Sequence, residues 1–430
     1  MKTDTHFYYQ NDILTVDGVR LDELAAQYGT PLYVYSKAAF TDHYRQYADA
    51  CHAHHSDEIG SLVCYSVKSN SNIAILNILG QEGAGFDIVS GGELLRVIAA
   101  GGDPGKVIFS GVGKTAAEIR LALEHDILCF NIESLAELKR INRIASEMGK
   151  TARVSFRVNP NVDPKTHPYI STGLKENKFG IPYEEALDSY LTAAKMPHIA
   201  ITGIDCHIGS QLLDDAPLLE ALDKLTDLFD RLAQHGIELH HIDIGGGIGI
   251  TYDSERPVPV ADYIDRVFHR ISAWKKARYP GMPFTMVFEP GRSISGNAGI
   301  LLTEVQYLKT NAEKHFAIVD GAMNDLMRPS LYEAWHGVLP VTQRSGKTTS
   351  YDIVGPICES GDWLARQREL AIEEGDLLAI MSAGAYGMAM SSNYNSRGRA
   401  AEILVANGKI HLIRRRERTE ELFALETVVS

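Results

Sequence analysis

SLVCYSVK (61–68) is an apolar, β-branched run closed by a lysine, and seven runs of similar character follow it. They are FDIV (86–89), KVIFS (106–110), ILCFNIE (127–133), RVSFRVN (153–159), ITGIDCHIG (201–209), HHIDIGGG (240–247) and FTMVFEPG (284–291). Between them lie stretches such as SGGELLRVIAAG (90–101) and SLAELKRINRIASEMGK (134–150), whose apolar residues recur three and four apart and whose ends carry glycine, as helices do. Strands alternating with helices imply a parallel sheet, and eight is the number that closes a (β/α)8 TIM barrel in the α/β class. An open, doubly wound sheet is the competing arrangement.

After residue 300 the pattern changes to short alternating runs separated by Gly, Asp and Asn turns: KHFAIVD, SYDIVGP, DLLAIMSAG, AEILVANG and KIHLIRR. ILTVDGV (13–19) and PLYVYS (31–36) read the same way. The expected organisation is a barrel over 36–297 and a second, β-rich domain, sandwich-like or barrel-like, built from 1–35 and 298–430. The segment 159–180, NPNVDPKTHPYISTGLKENKFG, is a long polar stretch punctuated by Pro and Gly, as lids and binding loops are.

Composition narrows the function. The chain has 430 residues, 45% hydrophobic and 23% charged, which suits a globular protein of two domains. Its net charge of −13, with no basic run at either end, argues against nucleic acid and anionic membranes as partners. No apolar stretch is long enough for a membrane span and the opening MKTDTHFYYQ lacks a signal-peptide core, so a cytoplasmic protein is expected. Five cysteines (Cys51, Cys64, Cys129, Cys206 and Cys358), none at zinc or redox-pair spacing, predict neither disulfides nor a metal site.

In a parallel barrel the reactive groups gather at the C-terminal ends of the strands. Those ends carry Lys68; Asp87 and Ser90; His207 and Ser210; Gly245, Gly246 and Gly247; and Glu289 and Arg292. An amine at an apolar barrel mouth is desolvated and nucleophilic, able to form a Schiff base, although an isolated lysine past a strand is more often a surface residue. A glycine run lets backbone N–H groups approach a phosphate, or simply makes a tight turn. Glu289 in FEPGR is a carboxylate on an apolar strand, which otherwise reads as a buried ion pair with Arg292. An amine, a phosphate cradle and a buried carboxylate are together what pyridoxal 5'-phosphate requires of a protein.

The ordered motifs YSVKSN, FDIVSGGEL, HIGSQ, DIGGG, FEPGRS, CESGD and GAYGMAMSSNYN span nearly the whole chain. In that order they resemble the diaminopimelate decarboxylase family, pyridoxal-phosphate enzymes of the alanine racemase-like barrel class. The resemblance implies that Lys68 carries the cofactor, that His207 stacks on its ring, and that Ser210, Gly245, Gly246, Gly247, Glu289, Pro290, Gly291, Arg292 and Tyr386 contact it. Glu289 would face the pyridine nitrogen, where the related racemases place an arginine; a carboxylate there favours the protonated ring and a strong electron sink. Asp87 and Ser90 would orient this shell. His207 would otherwise read as a core histidine.

The second domain is implied to supply Cys358 as proton donor, reaching the site of the neighbouring subunit in a homodimer. Glu359 would bind the distal ammonium of the substrate. Arg328 and Tyr332 of RPSLYEAWH, with Arg292, would bind its distal carboxylate, and Tyr386 of GAYG would meet both the cofactor phosphate and the substrate. A lone Cys is more often inert and buried, and Arg328 with Tyr332 would otherwise be a solvated surface pair. The implied reaction converts meso-2,6-diaminopimelate, a diamino diacid, to L-lysine and carbon dioxide, the last step of lysine biosynthesis. Ornithine, arginine or carboxynorspermidine are the alternative substrates, and a non-catalytic regulator that binds pyridoxal phosphate is the alternative class. Retention of both Lys68 and Cys358 speaks against the regulator. Ser66 and Ser69 stand where the family usually has alanines, and Gly398 and Ala400 where prolines are usual, which leaves the rigidity of the 391–400 loop open.

Overall fold

The computed structural model describes residues 5–163, 178–311 and 313–429. The chain divides into two compact units, Asp42–Ile250 with Arg256–Ser293, and Met1–Thr41 with Thr251–Glu255 and Ile294–Ser430.

The first unit is a closed parallel barrel. Its strands are β1 (Ile59–Ser66), β2 (Gly85–Ile88), β3 (Val107–Phe109), β4 (Cys129–Ile132), β5 (Ala152–Asn159), β6 (Ile199–Asp205), β7 (His241–Asp243) and β8 (Phe284–Phe288). Each pairs with the next, and β8 returns to β1 with Phe284 opposite Ile59 and Phe288 opposite Val63. Closure excludes the open doubly wound sheet. All eight expected strands are present; the fifth ends at Asn159 as expected, and the others stop short of the expected ends. β6 ends at Asp205 instead of 209, β7 at Asp243 instead of 247, and β8 at Phe288 instead of 291. The polar and glycine-rich residues leave the ladder there and form the rim.

Cys64, Ile108, Cys129 and Val287 pack together in the barrel interior, with Leu62 and Leu128 against them. The outer helices start where the sequence provides caps. Thr115 and Glu118 form a reciprocal capping box at Ala116–Glu124, and Ser134 accepts from the Glu137 N–H at Leu135–Glu147, each cap worth about 1 kcal/mol. Leu218, Leu222, Leu225, Phe229 and Leu232 make the buried stripe of Ala216–Gln234.

In the second unit, Leu32–Ser36 lies between Gly299–Asn311, antiparallel, and Ala401–Ala406, parallel. Lys314–Val319, Thr349–Val354 and Trp363–Leu370 extend one side, Lys409–Arg414 the other, and Leu377–Ile380 also pairs with Gly299–Asn311. The PLYVYS run is thus central to the sheet. Leu32, Val34, Ile300, Leu302, Ile403 and Val405 are fully buried in its core.

Candidate active site

Lys68 sits on a one-turn 3₁₀ helix, Val67–Ser69, directly after β1. Its Nζ donates to Asp87 Oδ2 at 2.5 Å, and Asp87 lies within β2, opposite Ser66 of β1. Ser66 Oγ donates to the same Asp87 oxygen at 2.9 Å and lies 3.0 Å from the Glu289 carbonyl oxygen, while the Ser66 N–H donates to the Pro290 carbonyl. Ser69 Oγ bonds the Ser66 carbonyl and the Tyr65 hydroxyl. Of the two serines standing in place of alanines, Ser66 thus ties β1 to both neighbouring strands and Ser69 fastens the lysine turn back onto β1. A Cβ on Gly291 would approach Ser66 Cβ to 2.9 Å, so the turn after Glu289 packs directly on the lysine's strand.

The glycine turn after β7 is equally constrained. The Gly245 N–H donates to Asp243 Oδ1 at 2.8 Å, and the Glu289 N–H donates to the Gly245 carbonyl at 2.8 Å. Gly245 has φ 69°, and a Cβ there would lie 2.6 Å from the Cys206 carbonyl. A Cβ on Gly246 would collide with the Glu289 carbonyl. Only glycine fits this approach of three strand ends.

The Gly246 N–H donates to His207 Nδ1 at 3.4 Å, which assigns that nitrogen the lone pair and leaves the ring N–H on Nε2. Burial, reinforced by Arg157 and Lys68, holds the imidazole well below its ordinary value, so it is neutral. Arg157, itself paired with Glu133 Oε1 at 3.0 Å, reaches the His207 carbonyl. Arg292 Nε donates to Ser210 Oγ at 3.1 Å. The sequence allowed an ion pair between Glu289 and Arg292; in the structure Arg292 donates to Ser210. The Ser90 hydroxyl accepts from the Glu93 N–H and caps the helix Gly91–Ala99.

A group of carboxylates underlies the rim. Asp205 and Asp243 end adjacent parallel strands in register, and oxygens of Asp205, Asp243 and Glu289 lie within 4.8 Å of one another. Asp205 Oδ1, Asp243 Oδ2 and Glu289 Oε1 are buried without a hydrogen-bond partner. Burial, then the neighbouring carboxylates, raises Asp205 and Glu289 well above the usual range. Burial likewise pushes Asp243 up to about 7, against the pull of the Gly245 N–H. Burial and mutual repulsion therefore both oppose ionisation of the three carboxyls. Asp205 and Asp243 escaped the sequence reading, although each is an acid inside an apolar strand, the signal that singled out Glu289.

These residues fit pyridoxal phosphate: a lysine amine at the rim, a glycine cradle that admits no Cβ, and a buried carboxyl oxygen awaiting a partner. Residues 42–296 match the model for the pyridoxal binding domain of pyridoxal-dependent decarboxylases. A diaminopimelate decarboxylase from Pseudomonas aeruginosa is 55% identical, over 98% of this chain and 99% of that one. The chain belongs to the diaminopimelate decarboxylase family. A relative of the same description from Vibrio cholerae is 49% identical over 99% of both chains. Among solved structures, diaminopimelate decarboxylase from M. jannaschii in complex with L-lysine has a TM-score of 0.94 at 38% identity, covering 100% of this chain and 99% of that one. The Helicobacter pylori enzyme with L-lysine gives 0.88 at 43%, covering 94% and 98%.

Arg328, expected as a surface residue without the family resemblance, is buried and starts the short helix Arg328–Tyr332. Tyr332 and Tyr386 are partly exposed, and Tyr386 has φ 56°. Cys358 and Glu359 are exposed: the Cys358 N–H donates to Asn395 Oδ1 at 2.9 Å, and the Tyr394 hydroxyl donates to Glu359 Oε2 at 3.0 Å. Asp362 fastens their loop by accepting from the Ile357 and Met323 N–H groups, both at 2.7 Å. The 391–400 loop is braced despite its missing prolines. Arg399 bonds Ser391, Asn393 and Glu417, and a Cβ at Gly398 would come within 2.6 Å of the Glu417 carbonyl. Of the expected lid at 159–180, residues 164–177 lie outside the described residues.

Proposed function

We propose that this chain decarboxylates meso-2,6-diaminopimelate to L-lysine and carbon dioxide, with pyridoxal 5'-phosphate held on Lys68. The observation that carries the reading is the convergence of the Lys68 amine, the Gly245–Gly247 turn and the Glu289 carboxyl at one barrel rim, in a chain 55% identical to a diaminopimelate decarboxylase. Bound there, the cofactor supplies an electron sink for the electron pair left when carbon dioxide departs.

The protein's contributions follow from its own residues. Asp87 keeps the Lys68 amine at the rim by a charge-assisted hydrogen bond. In the glycine turn the Gly245 and Gly246 N–H groups are taken by Asp243 and His207, which leaves the Gly247 N–H to the phosphate, and Glu289 meets the ring nitrogen with a carboxyl that lies beside that of Asp243. His207, neutral and fixed by Gly246, offers a flat face for ring packing. Arg328, Tyr332, Arg292 and Tyr386 take the distal carboxylate and Glu359 the distal ammonium, so both charges at the unreacted end are recognised. Cys358 Sγ returns a proton to the substrate Cα.

The same proposal makes the enzyme a cytoplasmic homodimer whose sites take Cys358 from the neighbouring subunit. The exposure of Cys358, beside four buried cysteines, supports that role, and five free thiols suit a reducing compartment. No helix among the described residues is long and apolar enough to cross a membrane. The decisive assay is carbon dioxide release from meso-diaminopimelate compared with ornithine, arginine and lysine. Preference for ornithine would sink the roles given to Arg328 and Glu359. Borohydride reduction should fix the cofactor on Lys68, and a Lys68→Ala protein should lack that reducible band.

A further inference from the structure

His336 lies four residues beyond the helix Arg328–Tyr332, on its C-terminal side, and is fully buried. Arg328 Nη1 approaches His336 Nε2 at 3.0 Å, and His336 Nδ1 approaches the Met381 carbonyl at 2.8 Å. An arginine can only donate and a carbonyl can only accept, so the imidazole is neutral, with its proton on Nδ1 and its lone pair aimed at Arg328. The Tyr252 ring covers the guanidinium at 4.8 Å and stands edge-on to His336 at 5.3 Å. Along one edge and one face, the guanidinium is thus held by groups that carry no charge of their own. Such partners set the plane of the fork without adding negative charge to compete with an anionic ligand.

We propose that His336, backed by Tyr252, is a positioning residue that aims Arg328 at the carboxylate on the unreacted end of the substrate. The inference rests on the reading of Arg328 as an anion-binding residue given above. L-lysine retains the carboxylate of that end, since the other one leaves as carbon dioxide; 1,5-diaminopentane has neither. The two compounds therefore separate recognition of the carboxylate from recognition of the amines.

The test uses the holoenzyme, the variants His336→Asn, His336→Gln and Arg328→Met, and the combination of Arg328→Met with His336→Asn. His336→Asn keeps an N–H for Met381 but is too short to reach Arg328, whereas His336→Gln restores an acceptor at that reach. The Asn variant should raise the KM for meso-diaminopimelate roughly tenfold, as loss of a hydrogen bond to a charged group does, with kcat little changed. Inhibition by L-lysine should weaken by a similar factor, inhibition by 1,5-diaminopentane should not, and the Gln variant should recover most of the loss. Arg328→Met should raise KM by itself and leave His336→Asn without further effect. An Arg328→Met enzyme of normal KM would overturn the anion-binding reading and this inference with it. A raised KM in Arg328→Met but not in His336→Asn, or equal weakening of both inhibitors in His336→Asn, would overturn this inference alone. If the Asn protein does not fold, His336→Leu carries the same outcomes.

Discussion

Lys68 Nζ lies 2.5 Å from Asp87 Oδ2, with the carboxylate fully buried and the lysine side chain one-third exposed. The fixed member of the pair is the acid, held in register by the β1–β2 ladder and by Ser66; the amine is the member with access to a ligand.

Asp87→Asn keeps an oxygen for Ser66 and removes the charge opposite Lys68. The expected result is a folded protein whose kcat/KM falls roughly ten- to a hundredfold, the scale of one charge-assisted hydrogen bond. Steady-state kinetics on the holoenzyme check this, and an unaltered kcat/KM would reduce Asp87 to a packing residue.

Asp243 carries a pH signature. Its value rises on folding from the ordinary 3.8 to about 7, so between those limits the folded chain binds more protons than the unfolded one. The stability this group contributes is complete below about pH 4 and is lost as the pH rises through about 7. Asp243→Asn retains an acceptor for the Gly245 N–H and should flatten that decline. Urea midpoints of the cofactor-free protein across the window measure it; parallel curves for the two proteins would refute the assignment.

Gly246→Ala drives a methyl group into the Glu289 carbonyl, which sits between two strand ends and cannot give way alone. Overpacking of this kind costs about 1–3 kcal/mol. The cofactor should also dissociate more readily, because the phosphate cradle must open to admit the methyl. Melting temperature and cofactor release, followed by absorbance, report the two effects separately.

Cys358 belongs to an exposed loop fastened by Asp362 and Asn395, so Cys358→Ala should leave the melting temperature unchanged while lowering kcat by about a hundredfold or more, as loss of a general acid does. Mixing inactive Lys68→Ala and Cys358→Ala proteins should restore part of the activity if each site draws on two subunits. No recovery would mean that each chain builds its own site.

Glu133→Gln leaves the Arg157 guanidinium buried without its carboxylate, next to the His207 carbonyl. Breaking such a pair costs about 3–5 kcal/mol. Chemical denaturation should register that loss, whereas a surface pair such as Arg20 with Asp22 should register almost none.

Much of this site is legible from local pattern. The β-branched runs announce eight strands because alternation with helices is expressed within a few residues, and Lys68, the glycine turn and Glu289 announce themselves by standing at strand ends. Ser66 is silent in the sequence: as a small residue near a lysine it looks like a replacement for alanine, and its hydroxyl acquires meaning only when Asp87 and the Glu289 carbonyl arrive from other strands. Ser90 is ambiguous in the sequence, since a serine after a strand suits both a site and a helix cap, and its hydroxyl caps a helix here.

The order of the elements, the position of the lysine and the composition of the glycine turn reside in the chain itself, because propensity and periodicity act over neighbouring residues. What closure of the barrel adds is convergence. Asp205 and Asp243 come opposite one another only through the β6–β7 register, and Glu289 joins them only because the β8 end meets the β7 turn. Tyr252 and Arg328, far apart in sequence, meet in the β-rich unit for a similar reason. Charge sharing and the aiming of a guanidinium depend on distances of a few ångströms between distant residues, and those distances are set by strand register and packing.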